Sequence, residues 1–402
     1  MNILLLTNCM AQPDSKEKGV PNIVFFFAKE WAKAGHNVVM IHSNSKFPLC
    51  FYMVPNFITD KLKKRSNIEI PGASERKTLE REQDGVKILR LPMMKIIPHS
   101  DFKSAQYDKQ FALITQYLKK INFVPDVVTG HWREPQLKLV NRLGEFYNAK
   151  KGFVEHGVLS SLSEEHVKCI KNLDCMFFRS ESVKNDMLKN DKYSFLNNQK
   201  VEVCYSGIPD EYVENIVDRT DWKKNGILKV LFVGRLIAYK RVDATLEALK
   251  KAFPAGGYEF TIVGDGAERQ SLENKAKSLG ILDYVNFTGR ISRNEVIKKT
   301  NESDCFVMIS ENEVFGLVYL ESMVGGCLTV ASKYGGVDGI INNNENGFLC
   351  EQGNSDELAE ILKKINEMSI DDVLKIRRNG YETLRNFTDS KVAEKYLNDI
   401  IG

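Results

Sequence analysis

The chain of 402 residues contains no Gly-Lys pair, no Asp-x-Asp, no Cys-x-x-Cys and no apolar run long enough to cross a bilayer. Without Gly-Lys there is no P-loop lysine to reach a nucleotide phosphate, which excludes kinases and ATPases of that type. Without Asp-x-Asp there is no paired carboxylate of the kind that holds Mg²⁺ or Mn²⁺ against a diphosphate, so metal-independent chemistry is expected and no metal ligands or cofactor are assigned. The eight cysteines, Cys9, Cys50, Cys169, Cys175, Cys204, Cys305, Cys327 and Cys350, are scattered. Several sit in apolar runs such as Asp304 to Met308, where a reduced thiol serves as a small core residue; a structural zinc is disfavoured and a reducing cytosol expected. Residues Met1 to Asn8 lack the basic start and small-residue cleavage site of a secretory leader, and a membrane span needs about 18–20 apolar residues. The reading is therefore cytoplasmic, with peripheral attachment to the inner face of the plasma membrane as the one membrane option. Charge excess is missing too: 56 basic residues against 53 acidic give a net +3, too small to imply nucleic acid.

What is present suits a globular protein of two domains, with 43% hydrophobic and 27% charged residues. Ile3-Leu4-Leu5-Leu6 is a short apolar run of the kind a parallel strand buried on both faces requires. A loop with Gly19 follows, then Pro21 placed for a first helical turn, a helix over Ile23 to Lys33, Gly35-His36, and a strand over Asn37 to Ile41, which together make one β-α-β unit. Further strands are expected at Val86–Leu91, Val127–Thr129, Gly152–Glu155, Met176–Phe178 and from Val201. A polar stretch from Asp218 to Gly226 precedes a second β-α-β series that starts at Leu228, and the sequence from about Asp371 onward is helical in pattern. The fold class is α/β, with expected domains at 1–206 and 207–385 and a last helix over 386–402.

Chemistry concentrates in the second half. Glu313 and Glu321 stand eight positions apart around an apolar stretch that contains Gly316. This suits a loop turning into a helix whose first N–H groups face a phosphate. Upstream, Leu231-Phe232-Val233-Gly234-Arg235 reads as a buried strand ending at a glycine, and Lys240 lies five residues beyond Arg235. In open α/β sheets ligands gather past the carboxyl ends of strands, where a guanidinium and an ammonium can hold a diphosphate. Phe260 to Val263 repeats the design by running into Gly264-Asp265-Gly266.

The ordered set Gly234-Arg235 with Lys240, Gly264-Asp265-Gly266, Thr288-Gly289-Arg290, Glu313 to Glu321, Tyr334-Gly335-Gly336 and Asn346-Gly347-Phe348 resembles the carboxyl-terminal half of the retaining glycosyltransferases of family 4, over about residues 228–365. The resemblance implies a GT-B fold: two Rossmann-like domains facing each other across a cleft, with the final helix crossing back to the first. It implies that Arg235 and Lys240 hold the diphosphate of a nucleotide sugar, that Glu321 takes the ribose hydroxyls and that Glu313 lies near the sugar. Gly234, Gly264, Phe315, Gly316 and Leu317 then line the nucleotide sugar, with Gly19 from a first loop that is otherwise an ordinary turn. Arg290 either lines the base site or caps its strand. His156, in Phe153-Val154-Glu155-His156-Gly157, matches the family's histidine at the sugar and reaction centre; His131 has acceptor-side and structural roles open. The pattern departs from the family at Gly326-Cys327, where a proline is usual after the glycine, and at Val337-Asp338 after Gly335-Gly336, where a glutamate is usual. The second departure weakens any assignment of base or phosphate contacts in that loop.

The expected function is transfer of a sugar, with retention, from a nucleotide-diphosphate sugar to a glycan or lipid-linked acceptor in cell-envelope polysaccharide synthesis. A GT-B nucleotide-sugar epimerase and a non-catalytic nucleotide-binding scaffold are the alternatives. The segment 47–65, with aromatics followed by Lys61, Lys63, Lys64 and Arg65, either packs on the first domain or dips into an anionic membrane surface.

Overall fold

Apolar runs become strands because a parallel strand covered on both faces has no side to give to water. Ile3, Leu4, Leu5 and Leu6 are wholly buried within β1 (Asn2–Thr7). The structure, a computed structural model, describes residues 1–11, 22–52, 73–95, 102–157, 159, 162–216, 219–311, 313 and 315–402. It divides into two units, one of residues 1–179, 183–204 and 392–402, the other of residues 180–182 and 205–391.

In the first unit, β1 is followed by β2 (Asn37–His42), β3 (Ser45–Lys46), β4 (Leu79–Gln83), β5 (Val86–Arg90), β6 (Met93–Met94), β7 (Val127–His131), β8 (Lys150–Val154), β9 (Cys175–Phe178) and β10 (Val201–Val203). Eight of these form one sheet in the order β10-β9-β8-β7-β1-β2-β5-β4, and β3 pairs with β6. Every pair in the sheet is parallel except β4 with β5. That hairpin was not foreseen from sequence, because Leu79-Glu80-Arg81-Glu82-Gln83 is polar and lacks β-branched residues. Its turn was legible: Asp84 and Gly85 both have positive φ (50° and 77°), as a two-residue hairpin turn of type I′ requires. The first helix spans Ile23–Lys33 with Asn22 before it; Gly19 and Pro21 lie outside the described residues. The final helix, Asp389–Ile401, completes the core of this unit. The Trp31 indole N–H donates to the Ala393 carbonyl at 2.8 Å, and Tyr396 packs against the rings of Phe27, Trp31 and Phe177 at 5.2, 5.4 and 4.8 Å.

In the second unit β11 (Leu228–Val233), β12 (Tyr258–Val263), β13 (Val285–Gly289), β14 (Cys305–Met308), β15 (Leu328–Ser332) and β16 (Phe348–Cys350) form a second sheet. It is all parallel, in the order β13-β12-β11-β14-β15-β16. Each sheet thus reverses its direction of growth once, between β1 and β7 in the first unit and between β11 and β14 in the second. Both halves are Rossmann-like. Of the segment 47–65, Phe47 is buried at 2% exposure and Leu49 is 64% exposed. Its basic cluster, Lys61 to Arg65, lies outside the described residues.

Candidate active site

The topology of the second sheet brings the expected charges together. β11 and β14 are neighbours, with Val230 beside Cys305 and Leu231 beside Phe306, so the loops leaving their carboxyl ends emerge side by side at the reversal point. The Glu311 N–H donates to the Tyr239 carbonyl at 2.7 Å, and the Arg241 guanidinium bonds the Glu311 carboxylate. With the loops tied, Lys240 Nζ reaches Glu313 Oε2 across 73 residues of chain, and lies 3.6 Å from Met308 Sδ. Both side chains of this pair are only 12% and 13% exposed. Arg235 is exposed, and its guanidinium has no partner among the described residues.

Backbones crowd at these strand ends. Gly264 has φ +133°, and a Cβ there would stand 1.8 Å from the Gly234 carbonyl oxygen. The Gly234 N–H donates to Val263 at 3.0 Å and the Gly264 N–H to Gly289 at 2.9 Å. No side chain fits at Gly264 without parting β11 from β12. At Gly336 a Cβ would lie 2.2 Å from Phe315 Cα, so the loop after β15 presses directly on the loop that carries Glu313. That loop turns at Gly316 (φ 76°, ψ 71°) into the helix Leu317–Val324, which has no side-chain cap. The first backbone bond in the turn is Tyr319 N–H to Gly316 at 3.0 Å, and the amides of Leu317 and Val318 have no partner among the described residues, as is usual in the first turn of a helix.

Glu321, one turn along that helix, holds Arg293 at 3.0 Å, a partner not foreseen from the sequence. The Arg293 guanidinium lies 5.6 Å over the Tyr212 ring. Tyr212, Arg219, Arg293, Thr300, Glu321 and Val324 line a cavity of about 540 Å³. Arg235, Lys240 and Glu313 do not line it. Arg290 is exposed, with no partner among the described residues; the side chain that reaches the end of β13 is Arg269, which donates to the Phe287 carbonyl at 3.4 Å.

The first unit gathers a second polar cluster at the ends of β7 and β8. His131 closes β7, and Trp132 after it has φ 62° and ψ 123°, a conformation rare for a bulky residue. The turn lays the Trp132 indole on the His156 ring, with centroids 4.0 Å apart and planes within 13°. His131 Nδ1 and His156 Nε2 share a hydrogen bond of 2.9 Å, and His131 Nε2 lies 3.3 Å from the Tyr396 hydroxyl. Arg133 Nε donates to Glu155 at 2.9 Å, and burial nevertheless pushes the Glu155 carboxyl above its usual range. Burial drives His156 down to about 2, with the Arg179 guanidinium adding to the effect. His131 falls well below the ordinary histidine range, by burial first and then the proximity of His156 and Arg179. Both rings are therefore neutral. Beside His156, a Cβ on Gly157 would meet nothing within 4 Å. Trp132 and Arg293 were not picked out from the sequence, and Tyr396 reads there only as an apolar point of a helical segment: ring stacking and ion pairing between distant segments leave no local pattern.

Residues 216–383 match the family model described as Glycosyl transferases group 1. The matched residues all lie within the second unit. The chain is 24% identical over 321 residues to an uncharacterized glycosyltransferase of Methanocaldococcus jannaschii, covering 76% of this chain and 89% of that one. It is 29% identical over 208 residues to the N-acetyl-alpha-D-glucosaminyl L-malate synthase of Bacillus anthracis, covering 50% and 53%, so it aligns with about half the length of that relative. Among solved structures, a glycosyltransferase from Rickettsia africae superposes with a TM-score of 0.69 at 20% identity, covering 99% of this chain and 97% of the other. A trehalose-6-phosphate protein from E. coli bound with UDP-2-fluoro glucose gives 0.69 at 14% identity, covering 100% and 99%. At such identities the likeness is one of fold, and the fold is of the GT-B type.

Proposed function

We propose that the protein is a retaining glycosyltransferase of family 4 that moves a sugar from a nucleotide-diphosphate sugar to a glycan or lipid-linked acceptor, without a metal, in cell-envelope polysaccharide synthesis. The observation that carries the reading is the strand-end cluster: Arg235 without a partner among the described residues, Lys240 paired with Glu313, and the amides of Leu317 and Val318 opening the helix that follows Glu313. Breaking the bond between the anomeric carbon and phosphate puts growing negative charge on the leaving diphosphate. Fixed cations and helix amides stabilise that charge without reorganising. Arg235 and Lys240 are assigned to the diphosphate, Glu313 to the sugar, where positive charge develops, and Glu321 to the ribose. His156 is assigned to the sugar and reaction centre, and Gly234, Gly264, Phe315, Gly316 and Leu317 to the walls of the nucleotide-sugar site. Arg290, exposed, is assigned to the base.

The test is a panel of nucleotide sugars, begun with uridine diphosphates because a structural neighbour holds UDP-2-fluoro glucose. A true donor at 100 times its dissociation constant stabilises the fold by about 2.7 kcal/mol. It should be consumed in excess EDTA, and proton NMR of the first product should show the donor's anomeric configuration kept. Failure of every nucleotide sugar to stabilise the protein or be turned over would remove the reading. Inversion, or rescue from EDTA only by Mn²⁺ or Mg²⁺, would remove its retaining or metal-free part.

A lipid-linked acceptor draws support from the basic residues Lys61, Lys63, Lys64 and Arg65, each contributing about 1 kcal/mol near anionic lipid. Replacing all four by serine should reduce sedimentation with anionic liposomes at low salt and leave donor hydrolysis intact. No sedimentation of the wild type would point to a soluble acceptor. Phe47, being buried, takes no part in such a contact.

A further inference from the structure

A line of four hydrogen-bonding groups runs through the first unit from its last helix to His156. Thr129 Oγ1 on β7 lies 2.5 Å from the Tyr396 hydroxyl. That hydroxyl lies 3.3 Å from His131 Nε2, and His131 Nδ1 lies 2.9 Å from His156 Nε2. Thr129 and His131 are wholly buried and Tyr396 is 1% exposed. His156 is partly exposed, and its Nδ1 has no partner among the described residues. Each neutral imidazole has one N–H and one bare nitrogen, so a single choice of proton direction fixes every member of the line.

Two directions are possible, and acid–base matching separates them. In one, the phenol donates to His131 Nε2, His131 Nδ1–H donates to His156 Nε2, and His156 keeps its proton on Nδ1. In the other, every bond is reversed and the phenol must donate to the hydroxyl of Thr129. A phenol is a stronger acid than an aliphatic alcohol, and an imidazole nitrogen a stronger base than an alcohol oxygen, so the first direction pairs the better donor with the better acceptor. It also uses the Thr129 hydroxyl as a donor to the Tyr396 oxygen, leaving no buried hydroxyl proton without an acceptor.

We propose that Tyr396, acting through His131, fixes the tautomer of His156, so that this ring presents Nδ1–H as a hydrogen-bond donor to an oxygen of the bound ligand. Tyr396 and His131 are thus positioning residues, and the oxygen is that of the transferred sugar, a point that rests on the glycosyltransferase reading above. Burial supports the arrangement: it raises the Tyr396 phenol well above its ordinary range and keeps the proton on it, while both histidines stay neutral. Trp132 lies flat on the ring and holds its plane. The final helix thereby acts on the chemistry of β8's loop through His131.

The test is nitrogen-15 NMR on the full chain labelled at histidine, with His156→Asn to assign the signals. Wild type should show His156 protonated on Nδ1. Tyr396→Phe keeps the ring and removes the hydroxyl; a substantial share of His156 should move to the Nε2–H form. With any donor sugar found, turnover should fall about tenfold with its Michaelis constant within about twofold. Thr129→Val should leave the tautomer as in wild type, since the phenol still donates to His131. A wild-type proton on Nε2, or a Tyr396→Phe protein with native circular dichroism and an unchanged tautomer, overturns the proposal. The tautomer is read without substrate. A chain that turns over no nucleotide sugar would therefore refute the function and leave this assignment standing or falling on its own spectrum.

Discussion

At the scale of single residues the strand-end charges differ in what holds them, and their variants should differ accordingly. Arg235 is exposed and unpaired among the described residues, so Arg235→Ala should leave stability within about 0.5 kcal/mol and slow turnover by roughly 10²–10³, as loss of a preorganised charge-stabilising group does. Lys240→Ala should slow turnover as much, and should also destabilise the fold, because it leaves the Glu313 carboxylate, 13% exposed, without its cation. Equal melting temperatures for the two variants would contradict the pairing, and full activity in either would remove that residue from the site. Glu321→Gln should chiefly raise the Michaelis constant for the nucleotide sugar, since a ribose contact is made about equally in ground and transition states, whereas Glu313→Gln should lower turnover. The same kinetic profile in both would contradict their separate roles.

Among elements, the final helix shows how closely backbone and side chain are fitted. Gly152 in β8 faces Ile400, and a Cβ on it would lie 2.5 Å from Ile400 Cδ1 and 2.7 Å from Cγ1. Gly152→Ala should therefore cost about 1–3 kcal/mol by overpacking. Adding Ile400→Val, which removes the clashing methyl, should restore part of the loss. Urea titrations of the single and double variants measure both, and additive losses would mean that the helix does not seat there. The two-residue hairpin of β4 and β5 teaches a related point. Its Asp84-Gly85 turn was written in the sequence, but its first strand was not, because an edge strand needs few apolar residues once its partner supplies the backbone bonds.

Across the whole molecule the six histidines are unevenly placed: all lie between His36 and His166, and the second unit has none. Burial lowers His42 to about 4 and His156 to about 2, and His131 lies well below the ordinary range. Unfolded, each titrates near ~6.5. Folded values below the unfolded one mean that the unfolded chain binds more protons, so stability is complete above about pH 6.5 and is lost as pH falls toward 4, by up to about 1.4 kcal/mol per histidine per pH unit. The loss should be confined to the first unit. Trp222→Phe leaves Trp31 and Trp132 to report on that unit, and Trp31→Phe with Trp132→Phe leaves Trp222 to report on the other. Urea midpoints at pH 7 and pH 5 should fall more for the first reporter, and equal falls would contradict this origin. The sequence by itself determined the α/β class, the strands from β1 to β15 that carry apolar runs, and the order of the strand-end motifs, because buried strands and glycine turns are set by near neighbours in the chain. Only the tertiary structure decided that Lys240 meets Glu313, that Glu321 meets Arg293, and that Tyr396 on the last helix reaches His131. Those partners lie tens to hundreds of residues apart, and strand order, which no local pattern encodes, is what sets one strand end beside another.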